Sequence, residues 1–379
     1  MPRIIIGGDI APTSSNLVLF RSGKTEELLG DDLLKVLGQA DFRIFNLETP
    51  LADIESPIVK NGPCLIAPVD TIKVIQAIKT NLVSVANNHI LDHGAQGLFS
   101  TLKTLQENNI ATVGAGSNLQ EAAQPYILEL NSIKIGVYAC AEHEFTIASE
   151  KRAGANPFDP LESFDHISDL KRNCDYVIVL YHGGKEYYRY PSPDLQKICR
   201  KMATKGANLI ICQHSHCIGA CEKYQGSVIV YGQGNFLFDY EDNEFTRTAL
   251  LVDVEFTTAE MKVSFLPLTK QGNVVRLADN QYAAEILSSY RQRSEKILEE
   301  GFVEQQYDQL AIQKLNAYLA AFMGNSWPFR VMNKLIGYRW TSFMRSECSL
   351  TQLRNYVECE AHRELILAGL KEHLAKRGK

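Results

Sequence analysis

The strongest constraint on the fold is a series of short apolar runs: IIIGG (4–8), FRIFN (42–46), LVSVA (82–86), IATVG (110–114), YVIVL (176–180) and NLIIC (208–212). Runs of this length, alternating with helical patterns, predict buried strands of an α/β sheet. DTIKVIQAIK (70–79), GAQGLFSTLKTLQEN (94–108) and SPDLQKICRKMATKG (192–206) space their apolar residues three and four apart and predict the covering helices. From 126 onward the pattern partly changes. LNSIK (130–134) reads as a hairpin turn, and SVIVYGQGNF (227–236), TALLVDVEFT (248–257) and MKVSFLPL (261–268) follow one another without helices between them. This predicts a layer of largely antiparallel strands beside the α/β layer. After about residue 280 the sequence is charged and helix-patterned, so the expected division is 1–280 and a helical C-terminal module, 281–379. Within that module Trp327, Pro328, Phe329 and Trp340 predict a packed apolar patch.

The chain has 379 residues, 45% hydrophobic and 22% charged, enough for one large core and an appendage. A net charge of -5 and a pI of about 6.0 give no electrostatic reason to expect nucleic acid or an anionic membrane surface as partner. The apolar runs are far short of the ~18 residues of a membrane span, so none is predicted. The start, MPRIIIGGDI, has the character of a first strand and not of a secretory signal. Nine scattered cysteines fit reduced thiols, and a cytoplasmic location is the expectation. Cys212, Cys217 and Cys221 flank His214 and His216 but contain no CxxC pair, which favours packing over a zinc knot.

Ligands of open α/β sheets collect beyond the carboxyl ends of strands. Here those ends are chemically rich. Asp9 follows the first strand, Asn46 and Glu48 the second (FNLETP), Asn88, His89 and Asp92 the third (ANNHILDHG). His182 ends YVIVLYH, and His214 and His216 follow NLIIC. Turn chemistry alone calls for Gly, Asn or Ser at such tips. Two carboxylates at one rim repel unless a cation lies between them. Oxygen and imidazole donors without thiolates predict a divalent transition metal, Mn, Fe or Zn.

In order along the chain, GGDI, FNLETPL, VANNHILDHG, VLYHGGKEYY, HSHCIGACE and YGQGNFLFD resemble the CapA-like (poly-γ-glutamate capsule biosynthesis) family of the calcineurin-like metallophosphatase superfamily, over about residues 3–270. The resemblance implies a four-layer αββα sandwich, here with the C-terminal helices added, and a dinuclear metal site. By position, Asp9 and His216 would hold one metal, Glu48 would bridge, and Asn88, His182 and His214 would hold the other. His89 would contact substrate or act as an acid. Phosphatases of this type place a histidine ligand two residues after the first Asp, where this chain has Ala11, and an Asp at the position of Glu48. A weaker first metal site is therefore expected.

Around these residues, Asp92 would orient an imidazole or cap the next helix. Lys185 and Glu186, beside His182, are candidates for binding an anionic substrate, with a solvated loop as the alternative. Asn235 is a candidate for the same rim, although Gly232 and Gly234 also fit a plain tight turn. Tyr187, Tyr188 and Tyr190 would wall a pocket or pack their loop. The expected function is a capsule-biosynthesis protein with a metal-dependent hydrolase site for a phosphoester or a related anionic polymer such as poly-γ-glutamate. Two others fit the same residues: a phosphoesterase for nucleotides, sugars or lipids, and a non-catalytic polymer- or partner-binding component working with other capsule-synthesis proteins.

Overall fold

A computed structural model describes residues 1–238, 243–321 and 347–358, with short pieces at 331–332, 334–336, 362–363, 365–367 and 369–370. Its first strands are β1 (Arg3–Ile10), β2 (Phe42–Leu47), β3 (Leu82–Ser84), β4 (Ala111–Val113) and β5 (Ala115–Gly116). Then come β6 (Tyr126–Leu130), β7 (Ile133–Ala141), β8 (Gly154–Ala155), β9 (Tyr176–His182) and β10 (Leu209–Gln213). The last are β11 (Cys221–Tyr224), β12 (Ser227–Val230), β13 (Thr248–Phe256), β14 (Met261–Gln271) and β15 (Val274–Leu277). One sheet has the order β15-β14-β13-β1-β2-β3-β4, and a second has the order β11-β12-β10-β9-β7-β6.

Parallel and antiparallel strands are not segregated into separate layers as expected. β1 to β4 run parallel, and β13, β14 and β15 extend the same sheet beyond β1 with each strand antiparallel to the one before it in the sheet. In the second sheet β7, β9, β10 and β12 run parallel, with antiparallel β6 and β11 at its edges. The reason is connectivity. A helix between two strands returns the chain for parallel pairing, whereas a short turn can only add an antiparallel neighbour. The β6–β7 turn is such a case, with Asn131 and Ser132 both at positive φ (49° and 66°), as a two-residue hairpin of this twist requires.

Strand alternation sets the layers. In β9, Ile178 and Leu180 join the core between the sheets, while Val177, Val179 and Tyr181 face Ile167, Leu170 and Met202 of helices Ser163–Asn173 and Pro193–Thr204. Helices Thr25–Gly38 and Gly94–Glu107 bring Leu28, Leu33, Leu98 and Leu105 to the first sheet. The result is a four-layer αββα sandwich. β1 is covered on both faces, which is why Ile4, Ile5 and Ile6 are consecutive and fully buried instead of alternating with polar residues.

Compact packing divides the chain into Met1–Glu304 and Gln305–Lys379. The first unit thus runs past the expected boundary at 280. Helix Asn280–Lys296 buries Ile286 and Tyr290 against Ile218 and Leu250, so its apolar side belongs to the sandwich. The second unit holds most of helix Phe302–Ala321 and helix Glu347–Glu358. Trp327, Pro328, Phe329 and Trp340 lie outside the described residues. Among the described residues, no helix is long and apolar enough to cross a membrane.

Candidate metal centre

The polar strand tips of both sheets meet at one end of the sandwich, with Asp9, Glu48 and Asn88 coming from the first sheet and His182, His214 and His216 from the second. The register of β1 against β2 shifts between Ile6 and Asp9. Such a bulge re-aims the side chain that follows it. The intervening glycines are required by close approach. A Cβ on Gly7 would lie 2.3 Å from the Phe45 ring, and one on Gly8 would lie 2.0 Å from the Gly234 carbonyl oxygen. That proximity lets the segment 232–237 close on β1, where the N–H groups of Phe236 and Leu237 each donate to the Asp9 carbonyl at 3.0 Å.

Glu48 is the pivot. It belongs to two donor sets, Glu48–His182–His214 and Asp9–Glu48–His216, in each of which the ligand atoms lie within 4.8 Å of one another. Its Oε1 is 3.3 Å from His182 Nε2 and 3.9 Å from His216 Nε2. Both carboxylate oxygens are buried and accept no hydrogen bond. Asn88 Oδ1 lies 3.0 Å from His182 Nε2, which is also 3.1 Å from His214 Nδ1. An unbonded buried carboxylate is costly, and imidazoles converging on it compensate only in part. A divalent cation between these donors removes the conflict. The residues therefore fit a divalent metal held by O and N donors.

Electrostatics sharpens this picture. Burial drives the His214 pKa well below its usual value, helped by repulsion from His182 and His216, so its imidazole is neutral. Burial also opposes protonation of His216, yet Glu48, Asp9 and the Asn235 hydrogen bond prevail and raise it to about 10. For Asp9, burial opposes ionisation, but His216, His182 and the Asn46 amide hold the carboxyl below its ordinary range. A proton on His216 thus stands where a cation would bind. His214 and His216 both have positive φ, 83° and 54°. Non-glycine residues adopt that conformation at a cost, which the surrounding structure must impose.

Amides brace the carboxylates. Asn46 Nδ2 donates to Asp9 Oδ1 at 2.8 Å, and Asn87 Nδ2 donates to Asn46 Oδ1 at 3.2 Å and to the Leu47 carbonyl at 2.8 Å. Asn235 is buried, with Oδ1 2.8 Å from His216 Nδ1, so it faces an imidazole instead of the open rim expected for a substrate contact. Gly232 and Gly234 do have the positive φ of a tight turn. Asp92 Oδ2 lies 2.5 Å from His89 Nδ1, and the N-cap of helix Gly94–Glu107 is His93. Lys185 and Glu186 are exposed on the loop after β9. Tyr187 puts its ring 5.9 Å from His216, whereas Tyr188 and Tyr190 pack edge to face. Among the described residues, no candidate metal cluster contains a cysteine.

Several contributors have little or no mark in the sequence. Asn46 stands among the polar strand tips without a role of its own in the sequence, and Asn87 beside Asn88 carries no separate signal. Lys60 has no sequence signal, yet its buried ammonium lies 2.5 Å from Asp92 Oδ1 and 3.3 Å from both the Asn88 carbonyl oxygen and His89 Nδ1. Glu142 Oε1 accepts from the Gly184 N–H at 3.0 Å, and burial raises its pKa.

The chain is similar to several known proteins. The chain is 32% identical over 182 residues to the PGA biosynthesis protein CapA of Bacillus subtilis (strain 168), covering 47% of each chain. It is 30% identical over 190 residues to the capsule biosynthesis protein CapA of Bacillus anthracis, covering 48% of this chain and 46% of that one. The chain thus spans about half the length of these curated relatives. A solved phosphatase from Mycoplasma pneumoniae superposes with a TM-score of 0.46 at 14% identity, over 72% of this chain and 94% of that one. Residues 3–240 match the family model described as bacterial capsule synthesis protein PGA_cap, and with that match over more than half its length the chain belongs to this family.

Proposed function

We propose that the chain is a metal-dependent hydrolase of capsule biosynthesis, acting on a phosphoester or a related anionic polymer such as poly-γ-glutamate. The observation that carries this reading is Glu48, whose two buried oxygens accept no hydrogen bond while His182 and His216 converge on one of them. Asp9, Glu48, Asn88, His182, His214 and His216 would hold two divalent ions, Mn, Fe or Zn, with Glu48 shared. Such ions supply Lewis-acid polarisation of the substrate and lower the pKa of a water toward neutrality.

The chain's own residues do the rest. Asp92 Oδ2 accepts the Nδ1–H of His89 at 2.5 Å, which fixes the tautomer and leaves Nε2 to exchange a proton with the leaving group. Lys60 Nζ, 2.5 Å from Asp92 Oδ1, holds that side chain in place. Lys185, exposed next to the rim, would attract an anionic substrate. The names of the two relatives, which refer to PGA and capsule biosynthesis, support the anionic-polymer class. A reducing compartment, the cytoplasm, fits the free cysteines, among them Cys199 and Cys212 with sulfurs 3.6 Å apart.

The test combines metal analysis with hydrolysis assays on phosphodiesters, phosphomonoesters and γ-glutamyl peptides. Activity lost in Glu48→Ala and His214→Ala but kept in Cys217→Ala supports the proposal. A protein that takes up no transition metal after Mn or Zn loading sinks it. Full metal loading with no turnover of any of these substrates would instead indicate the non-catalytic binding role.

A further inference from the structure

The two donor sets that share Glu48 are unequal. Around His182 there are four side chains with ligand atoms: Glu48, Asn88, His182 and His214. Around His216 there are three, Asp9, Glu48 and His216. Ala11, two residues beyond Asp9, has only a methyl group; Asn88 approaches the same nitrogen of His182 as Glu48 does, Nε2, whereas Asn235 lies against His216 Nδ1 while Glu48 approaches His216 Nε2. Ions of the kind proposed here take four or more ligands, so the His216 side is short by comparison.

A third carboxylate reaches this side from solvent. Glu186 places a carboxylate oxygen within 4.8 Å of ligand nitrogens of both His214 and His216. Those histidines belong to the two donor sets that share Glu48, and Glu186 is exposed where Glu48 is buried. The approach is built into the backbone. Tyr187 N–H donates to the Ser215 carbonyl at 2.9 Å, tying the Glu186 loop directly to the His214–His216 segment. Tyr187 also has a positive φ of 56°, as His214 and His216 do. Three strained non-glycine residues on facing segments show that this juxtaposition is imposed by the fold.

We infer that Glu186 is a metal ligand, supplied by the exposed loop after β9, that completes the Asp9–Glu48–His216 side of the centre. This rests on the proposed metal centre and changes the role of Glu186 from substrate contact to ligand. Because its carboxylate is exposed whereas the other carboxylate ligands are buried, this side of the centre can open by loss of one ligand. An anionic group of the substrate can then take the vacated position without exposing Glu48.

Cobalt binding to chelator-stripped protein tests the assignment, read by visible absorption and by metal analysis after gel filtration. The wild type should bind two equivalents. Glu186→Gln should keep one tight equivalent, bind the second at least about ten-fold more weakly, and show an altered cobalt spectrum. Glu186→His should restore much of the second site, and Glu129→Gln, on the edge strand β6, should match the wild type. Wild-type affinity and spectrum in Glu186→Gln would overturn the inference and leave the metal centre standing. A wild type that binds no cobalt would overturn the metal centre itself, and the inference with it.

Discussion

Lys60 Nζ lies 2.5 Å from Asp92 Oδ1, with both side chains buried, and the other oxygen of Asp92 lies 2.5 Å from His89 Nδ1. The loop that carries Lys60 also donates the Leu65 N–H to Asp92 Oδ2 at 2.6 Å. Asp92 thereby links a loop to the histidine on the rim.

Removing Lys60 would leave Asp92 without its buried cation. Lys60→Met should cost about 3 kcal/mol of folding stability, whereas Lys24→Met, in the exposed Lys24–Glu27 pair, should cost less than about 0.5 kcal/mol. The double variant Lys60→Met/Asp92→Leu should recover only part of the loss, because the Leu65 N–H and His89 Nδ1 lose their carboxylate partner. Urea denaturation measures all three, and equal costs for Lys60→Met and Lys24→Met would contradict the linkage.

Metal should determine the worth of Glu48. In chelator-treated protein, Glu48→Gln should change stability little, because the relief of burying two oxygens that accept no hydrogen bond is offset by the loss of Glu48's support for the proton on His216. With metal at about 100 times its dissociation constant, the wild type should gain about 2.7 kcal/mol and the variant much less. Thermal melts with and without Mn or Zn read the difference. A metal-induced shift equal in both proteins would remove Glu48 from the site.

Metal-free stability should depend on the proton of His216. Its folded pKa of about 10 lies above the ~6.5 of an unfolded chain. The stabilisation is therefore fully present below pH ~6.5 and is lost as the pH rises toward about 10. His216→Asn should flatten that decline. The same proton competes with the ion, so metal affinity should increase with pH over this window. Denaturation of stripped protein and metal titrations at several pH values check both slopes.

The approach of segment 232–237 to β1 should depend on Gly8. A methyl group there would lie 2.0 Å from the Gly234 carbonyl oxygen, which is backbone and cannot swing aside. Gly8→Ala should cost about 1–3 kcal/mol by overpacking and weaken metal binding by displacing Asp9. Gly38→Ala, where an added Cβ meets nothing within 4 Å, is the comparison for stability and metal content.

Local pattern and chemistry carried much of the molecule. The apolar runs specified buried strands, because a strand covered on both faces has to be apolar throughout, as at Ile4, Ile5 and Ile6. The unusual side chains at the strand tips marked the rim, because parallel strands in one sheet end on one side. Neither source fixed which tips face one another. That His182 Nε2 stands 3.3 Å from Glu48 Oε1 depends on the packing of one sheet against the other. Asn235 could be assigned to the rim but not turned toward His216, since that needs the 232–237 segment closed over Gly8.

Lys60 and Glu186 make the same point from loops. Their sequence neighbourhoods, SPIVKNGPC and HGGKEYY, are equally consistent with solvated turns. Periodicity reports which face of an element is buried; it says nothing about which distant backbone a loop will hydrogen-bond. The Lys60–Asp92 contact joins residues 32 apart in the chain, and the tie from Tyr187 to Ser215 sets Glu186 against two histidines of another strand tip. The sequence by itself determined the strands and the donor types of this protein, whereas only the tertiary structure decided which donors share an ion-sized space.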